Sequence, residues 1–202
     1  MLIGVLTSCD ESDIIDTNGT EGTEAVESQG ESSDSQSQDG EKPVELDKEK
    51  WNAALQDNVF DNLTFKMYVK TADGEMTGIY KLDGNRCSEI GEDGDVTELP
   101  ADSIDGLKNI FINTSLAILD NYDDFEYDEG NNCYKAKKDV VYSAAVLEYT
   151  AELTVKNAVV TFDSDLRVAT IAGNMTQVIS NGQTMVFDFE FTFSDYGTTV
   201  VA

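Results

Sequence analysis

The sequence predicts an α+β domain in which a curved, mainly antiparallel β-sheet packs over one or two helices. Segments that alternate apolar and polar residues fill most of the chain between residues 46 and 202. Asp-Gly and Asn-Gly pairs, which favour tight hairpin turns, separate several of these segments. One long segment is instead apolar around much of a helical circumference, so protein must cover it on more than one side.

Two segments have helical patterns. The first covers residues 47–56, with Asp47 as a side-chain N-cap. The second covers residues 104–120, with Asp102 or Ser103 as its cap. Its apolar residues are Ile104, Leu107, Ile110, Phe111, Leu116, Ile118 and Leu119. We expect this second helix to lie in the concavity of the sheet.

Strands are predicted for most of the remaining domain. They cover residues 63–70, 76–82, 86–90, 125–129, 133–137, 149–162, 167–179 and 185–194. Residues 140–147 fit a helix or a strand equally well. In the longest strand, Leu153 lies on an odd position and Val160 on an even one, so the buried face changes phase between them. A bulge or a turn is therefore expected near Asn157.

The last strand has the clearest pattern, because four phenylalanines alternate with mostly polar residues. This pattern indicates a sheet with one apolar face packed against other elements and one face in water. The aromatic row either fills a core or lines an apolar ligand cavity. Trp51, the only tryptophan, is likewise either a core anchor or a ligand-stacking residue. The candidate apolar face comprises Trp51, Phe111, Phe187, Phe189, Phe191 and Phe193.

The chain opens with a short apolar run that ends in Leu6-Thr7-Ser8-Cys9. These four residues resemble the lipobox of bacterial lipoproteins of the Gram-positive type, in which cleavage precedes a cysteine that carries a diacylglyceryl group. The resemblance implies lipid attachment at Cys9 and an extracytoplasmic domain anchored to the cell membrane. No basic residue precedes the apolar run, so either the signal starts further upstream or the segment is a short apolar terminus.

The N-terminal organisation is predicted in three parts. Residues 1–9 are the remnant of a lipoprotein signal. Residues 10–45 are rich in Ser, Gly, Thr, Gln, Asp and Glu, a composition that cannot bury enough apolar surface to fold. They are expected to be a disordered acidic tether. Residues 46–202 then form the single folded domain.

The order of elements in the domain, together with Phe193-Ser194-Asp195-Tyr196-Gly197-Thr198-Thr199-Val200, resembles LolA-like and LppX/LprG-like lipoproteins. In those families a half-barrel sheet wraps over helices and holds lipid in its hollow. The resemblance implies that fold for residues 46–202 and a lipid or other apolar ligand as partner. A cystatin-like α+β domain is the alternative architecture.

Composition excludes several classes of function. The chain has 40 acidic and 13 basic residues, a net charge of −27, so its field repels nucleic acid. It contains no histidine, which excludes catalytic Ser-His-Asp and Cys-His arrangements and histidine-ligated metals. Glu92-Asp93-Gly94-Asp95 lacks the ligand spacing of an EF-hand loop. We expect no cofactor, no metal site and no catalytic residues.

These observations predict a non-catalytic binding or adaptor module at the cell surface, with an envelope protein or wall polymer as partner. A carrier of lipid or another apolar ligand is the alternative. Cys87 and Cys133 both follow a hairpin turn, and outside the cytoplasm they could form a disulfide. The other interpretation is that both are separate buried thiols.

Overall fold

The computed structural model describes residues 45–91, 93–146 and 149–201. Within these residues ten strands form one open antiparallel sheet, and helices pack against one of its faces. The predicted α+β class with a mainly antiparallel sheet is therefore confirmed. Cys9 and almost all of the predicted tether lie outside the described residues.

The helical elements follow the apolar patterns of the sequence. Helix α1 covers Lys48–Ala54, and a longer helical segment consists of α2 (Ala101–Leu107), a π-helical turn (Lys108–Ile112) and α3 (Asn113–Leu119). The strands are β1 Asn62–Lys70, β2 Glu75–Asp83, β3 Arg86–Ile90, β4 Val96–Glu98, β5 Phe125–Asp128, β6 Cys133–Ala136, β7 Val140–Val146, β8 Tyr149–Phe162, β9 Val168–Ile179 and β10 Thr184–Ser194. Short 3-10 turns cover Asp57–Phe60 and Tyr122–Asp124.

The strand order is β4-β3-β2-β1-β10-β9-β8-β6-β5. Most neighbours in the sheet are neighbours in sequence, but β1 pairs with β10, the last strand of the chain. Strands β6 and β7 both pair with β8, β7 along its first half and β6 near its end. The sheet thus consists of two runs of strands that are joined along β1 and β10.

The helix boundaries differ in part from the prediction. Asp47 is the N-cap of α1, as predicted, because its carboxylate accepts a hydrogen bond from the Lys50 backbone N–H. The predicted cap of the second helix at Asp102 or Ser103 is wrong. Helix α2 begins at Ala101 after Pro100, so both residues already lie in its first turn. Pro100 has a φ of −60° and a ψ of 149°, an extended conformation that its ring allows, and no side chain caps the helix there.

The segment that fitted a helix or a strand equally well is a strand, β7, since β8 offers it an edge for seven residue pairs. The change of buried face within β8 is also confirmed as a bulge. The register between β8 and β9 shifts between Lys156 and Val159, and Asn157 has a φ of +52° there. Asparagine tolerates this left-handed conformation better than most residues do. The bulge returns Ala158 and Val160 to the buried face.

The C-terminal motif is structural. The Tyr196 hydroxyl donates to the Val168 backbone carbonyl at 2.7 Å, and Gly197 has a φ of +71°, which favours glycine. The Asn62 side chain then holds the Thr199 backbone on both sides. It donates from Nδ2 to the Thr199 carbonyl at 2.9 Å and accepts from the Thr199 N–H at 2.8 Å. The end of the chain is therefore bound to the start of β1.

Candidate binding cleft

The aromatic row of β10 belongs to the filled core. Phe189, Phe191 and Phe193 are each at most 4% exposed. The Phe191 ring lies 5.6 Å from Phe65 and 5.5 Å from Phe111, both with edge-to-face geometry. The helical segment thus packs directly onto β1 and β10. Phe111 and Phe187 are only half-buried and lie beside this core.

Trp51 is a core residue as well. Its side chain is 0% exposed, and its indole Nε1 donates to the Leu119 backbone carbonyl at 3.0 Å. Four aromatic rings surround it at centroid distances of 5.0 to 5.6 Å. These rings belong to Tyr122, Phe125, Tyr134 and Phe162. The tryptophan therefore fixes α1 to the end of α3 and has no surface left for a ligand.

The two cysteines of the domain are separate buried thiols. Cys87 lies on β3 and Cys133 on β6, with β2, β1, β10, β9 and β8 between those strands. Neighbouring strands are about 4.8 Å apart, and a disulfide needs its two Cα atoms within about 7 Å. The disulfide considered from the sequence is not formed for this reason. Burial raises the pKa of Cys87 to about 11, so the thiol is protonated at neutral pH.

Outside the core, a cleft lies between the helical segment and β7. Its volume is about 310 Å³, it is partly open to solvent, and we call it the helix–β7 cleft. That volume falls at the small end of the range for ligand pockets. The lining residues are Asn109, Asn113, Thr114, Ala117, Tyr142, Ser143 and Ala144. Among the described residues, this lining contains side-chain amides, hydroxyls and methyl groups but no charged side chain.

The π-helical turn positions the helical side of the cleft. The Asn113 backbone N–H donates to the carbonyl of Lys108, five residues earlier, instead of the four of an α-helix. Buried residues accordingly fall at Leu107 and Ile112, also five apart, while Ile110 is 40% exposed. The extra residue turns Asn109 and Asn113 toward β7. Turns of this kind are frequent at functional sites.

The two asparagines form a pair on the cleft wall. The Asn113 side-chain Nδ2 donates to Asn109 Oδ1 at 2.8 Å. This bond fixes the orientation of both amides and leaves the Asn109 amide N–H groups and the Asn113 carbonyl oxygen for other partners. A donor and an acceptor therefore lie side by side on an exposed part of the wall.

Tyr142 faces the helix from β7. Its hydroxyl oxygen is buried and completes no hydrogen bond of standard geometry with any described residue. Burial raises the pKa of Tyr142 to about 12, and a loose hydrogen bond with the Thr114 side chain lowers it. The hydroxyl is thus neutral near pH 7 and acts as a hydrogen-bonding group. The other described lining side chains are amides, hydroxyls and methyl groups, which do not titrate near neutrality.

A second feature is an open apolar end of the concave face. Strand alternation puts Met76 on the same face as the buried Tyr80, and Met185 on the same face as the buried Phe189. Nevertheless Met76 is 51% exposed and Met185 is 47% exposed. The helical segment therefore leaves the ends of β2 and β10 uncovered.

The described residues contain no group of three or more acidic or sulfur ligands placed to hold a metal ion. They also include no helix that is long and apolar enough to cross a membrane. The lipid-attachment prediction for Cys9 concerns a residue outside the described part of the chain.

None of the cleft residues was identified from the sequence. The available signal was a polar pair four residues apart, Asn109 and Asn113, within an otherwise apolar helix. Periodicity could not assign it to a site, because the partner strand β7 was itself ambiguous. No known family model matches the chain, and no curated protein shows significant similarity to it.

Proposed function

We propose that this protein is a non-catalytic binding module, held outside the cytoplasm by lipid on Cys9 and set apart from the membrane by the acidic tether. The observation that carries the binding role is the helix–β7 cleft. It combines an exposed pair of amides, Asn109 and Asn113, with other uncharged hydrogen-bonding side chains in its lining.

The charge of the chain supports an uncharged or cationic partner. A net charge of −27 disfavours anionic polymers and anionic lipid surfaces. A wall polymer or envelope protein with neutral polar groups is compatible with both the negative charge of the chain and the uncharged lining of the cleft.

The test uses the full chain as the Cys9→Ser variant, so that lipid anchoring does not itself cause retention. This protein is incubated with isolated cell envelopes and sedimented. We expect retention that is lost when Ala144→Trp fills the cleft. The matched control is Val141→Trp, because Val141 lies on the same strand but is 59% exposed on the other face. Thermal unfolding of each variant verifies its fold.

Retention that is the same in both tryptophan variants would refute the cleft as the binding site. No retention of the parent chain would refute the envelope-binding role. The milder Thr114→Val, which removes one lining hydroxyl, serves as the test variant should Ala144→Trp fail to fold.

A carrier of lipid or another apolar ligand is the second candidate, and the exposed Met76 and Met185 on the concave face favour it. Methionine-rich surfaces adapt to apolar partners of varied shape. Mass spectrometry of an organic extract of the purified chain would detect a bound lipid. A stoichiometric lipid that is lost in Met185→Lys would support this second function over the first.

A further inference from the structure

We propose that the helix–β7 cleft binds a neutral sugar unit through two adjacent hydroxyl groups. This proposal rests on the proposed binding function and assigns a ligand class to it. Three features of the cleft specify that class: the asparagine pair, the uncharged lining and the size.

The asparagine pair offers the contact for two neighbouring hydroxyls. Because Asn113 Nδ2 is bonded to Asn109 Oδ1, the free groups are the Asn109 N–H and the Asn113 carbonyl oxygen. One sugar hydroxyl accepts from the former, and the adjacent hydroxyl donates to the latter. A carboxylate could use only the donor and an ammonium only the acceptor, so the pair matches a group that can both donate and accept.

The rest of the lining comes from both walls, α3 and β7, and contains hydroxyl and methyl groups. Thr114 on α3 and Tyr142 on β7 carry hydroxyls, but both hydroxyl-bearing side chains are largely buried in the walls, so the exposed asparagine pair makes the main polar contact. The methyl groups of Ala117 and Ala144 supply apolar surface for the C–H face of a sugar ring. The lining therefore alternates hydrogen-bonding and apolar groups, as a sugar does.

The charge and the volume of the cleft restrict the class of sugar that it can bind. None of the described residues that line the cleft carries a charge, so a charged sugar would lose hydration there without gaining an ion pair. The net charge of −27 adds repulsion for an acidic sugar. A volume of about 310 Å³ accommodates a single unit, which can be the terminal residue of a longer polymer.

The experiment is a titration of the ¹⁵N-labelled Cys9→Ser chain with glucose, galactose and mannose, followed by NMR of side-chain amides. Glucosamine and galacturonate are the cationic and anionic comparisons. We expect at least one neutral sugar to give saturable shifts of the Asn109 and Asn113 amides at millimolar concentrations. Galacturonate and glucosamine should bind at least about tenfold more weakly.

The variants are Asn109→Ala and Asn113→Ala, each expected to weaken sugar binding about tenfold through loss of one hydrogen bond. The matched control is Asn52→Ala, which makes the same change at an exposed position on α1 outside the cleft and should bind as the parent does. Both asparagines of the pair are exposed, so neither substitution removes core packing.

Absence of saturable shifts with all three neutral sugars would overturn the proposal, as would unchanged affinity in both cleft variants. Tighter binding of either charged sugar would overturn it as well. If envelope retention depends on Ala144 while no neutral sugar binds, the ligand class is wrong and the binding function stands. If envelope retention also fails, both are wrong.

Discussion

Truncation of Phe191 to alanine is expected to destabilise the domain by about 4 kcal/mol, because large-to-small changes of buried aromatics cost about 3–5 kcal/mol. The side chain is 3% exposed, and three rings contact it, those of Phe65, Phe111 and Phe189. Aromatic pairs of this geometry add about 0.5–1.5 kcal/mol each beyond their buried area. The cost should therefore fall in the upper half of the range.

Chemical denaturation followed by circular dichroism measures this free energy. Domains are stable by about 5–15 kcal/mol, so Phe191→Ala could leave too little folded protein. Phe191→Leu then serves instead, with an expected loss of about 1–2 kcal/mol because leucine retains most of the apolar surface. The matched control is Val186→Ala on the same strand. Val186 is 63% exposed on the opposite face and should change stability by less than about 0.5 kcal/mol.

A cost below about 1 kcal/mol for Phe191→Ala would refute the assignment of the row to a filled core. In that case the aromatic face would line a space that tolerates truncation, and the lipid-carrier function would gain support. Phe187→Ala should cost less than Phe191→Ala, since Phe187 is only half-buried.

Three further outcomes are expected. Cys9→Ser should release the protein from cell membranes into the medium, and a serine variant that still fractionates with membranes would contradict lipid anchoring at that position. Lys135 and then Asn131 lower the pKa of Asp128 to about 2 by hydrogen bonding, so this carboxylate stabilises the fold above pH 4 and loses that effect as the pH falls toward 2. Between pH 4 and 2 the Asp128→Asn variant should consequently lose less stability than the parent chain in acid unfolding experiments. Identical curves for the two proteins would exclude the effect. In the Cys9→Ser chain, both remaining thiols should react with a thiol reagent only after denaturation, with or without reductant; a count that rises with reductant would reveal a disulfide.

Local pattern predicted the strands well, because alternation and turn residues act over few residues. The bulge at Asn157 was predicted because Leu153 and Val160 differ by seven positions, and an odd difference puts two residues on opposite faces of a regular strand. The sequence pattern could not decide whether the β7 segment forms a helix or a strand, because its apolar and small residues fit the periodicity of both. The free edge of β8 decides it, and that edge exists only in the folded sheet.

The cleft could not be predicted for a related reason. Its position depends on the π-helical turn, and a single extra residue in a helix leaves only a five-residue spacing between Leu107 and Ile112. Such a spacing is hard to distinguish from ordinary irregularity in an apolar segment. The sequence could not decide whether Trp51 and the aromatic row belong to a core or to a ligand pocket, because an apolar row of side chains occurs in both. The ring contacts assign them to the core.

The pairing of β1 with β10 has a consequence for the order of events in synthesis. Seven residue pairs join Thr64–Lys70 to Asp188–Ser194, so the two runs of strands cannot unite until nearly the whole chain has been made. Contacts this distant in sequence slow folding, since a long loop must close first. Until residues 188–194 have been made, β1 lacks its β10 partner and the sheet is incomplete. That delay suits a protein which, if exported as proposed, has to cross a membrane as an extended polypeptide before its last strand completes the sheet.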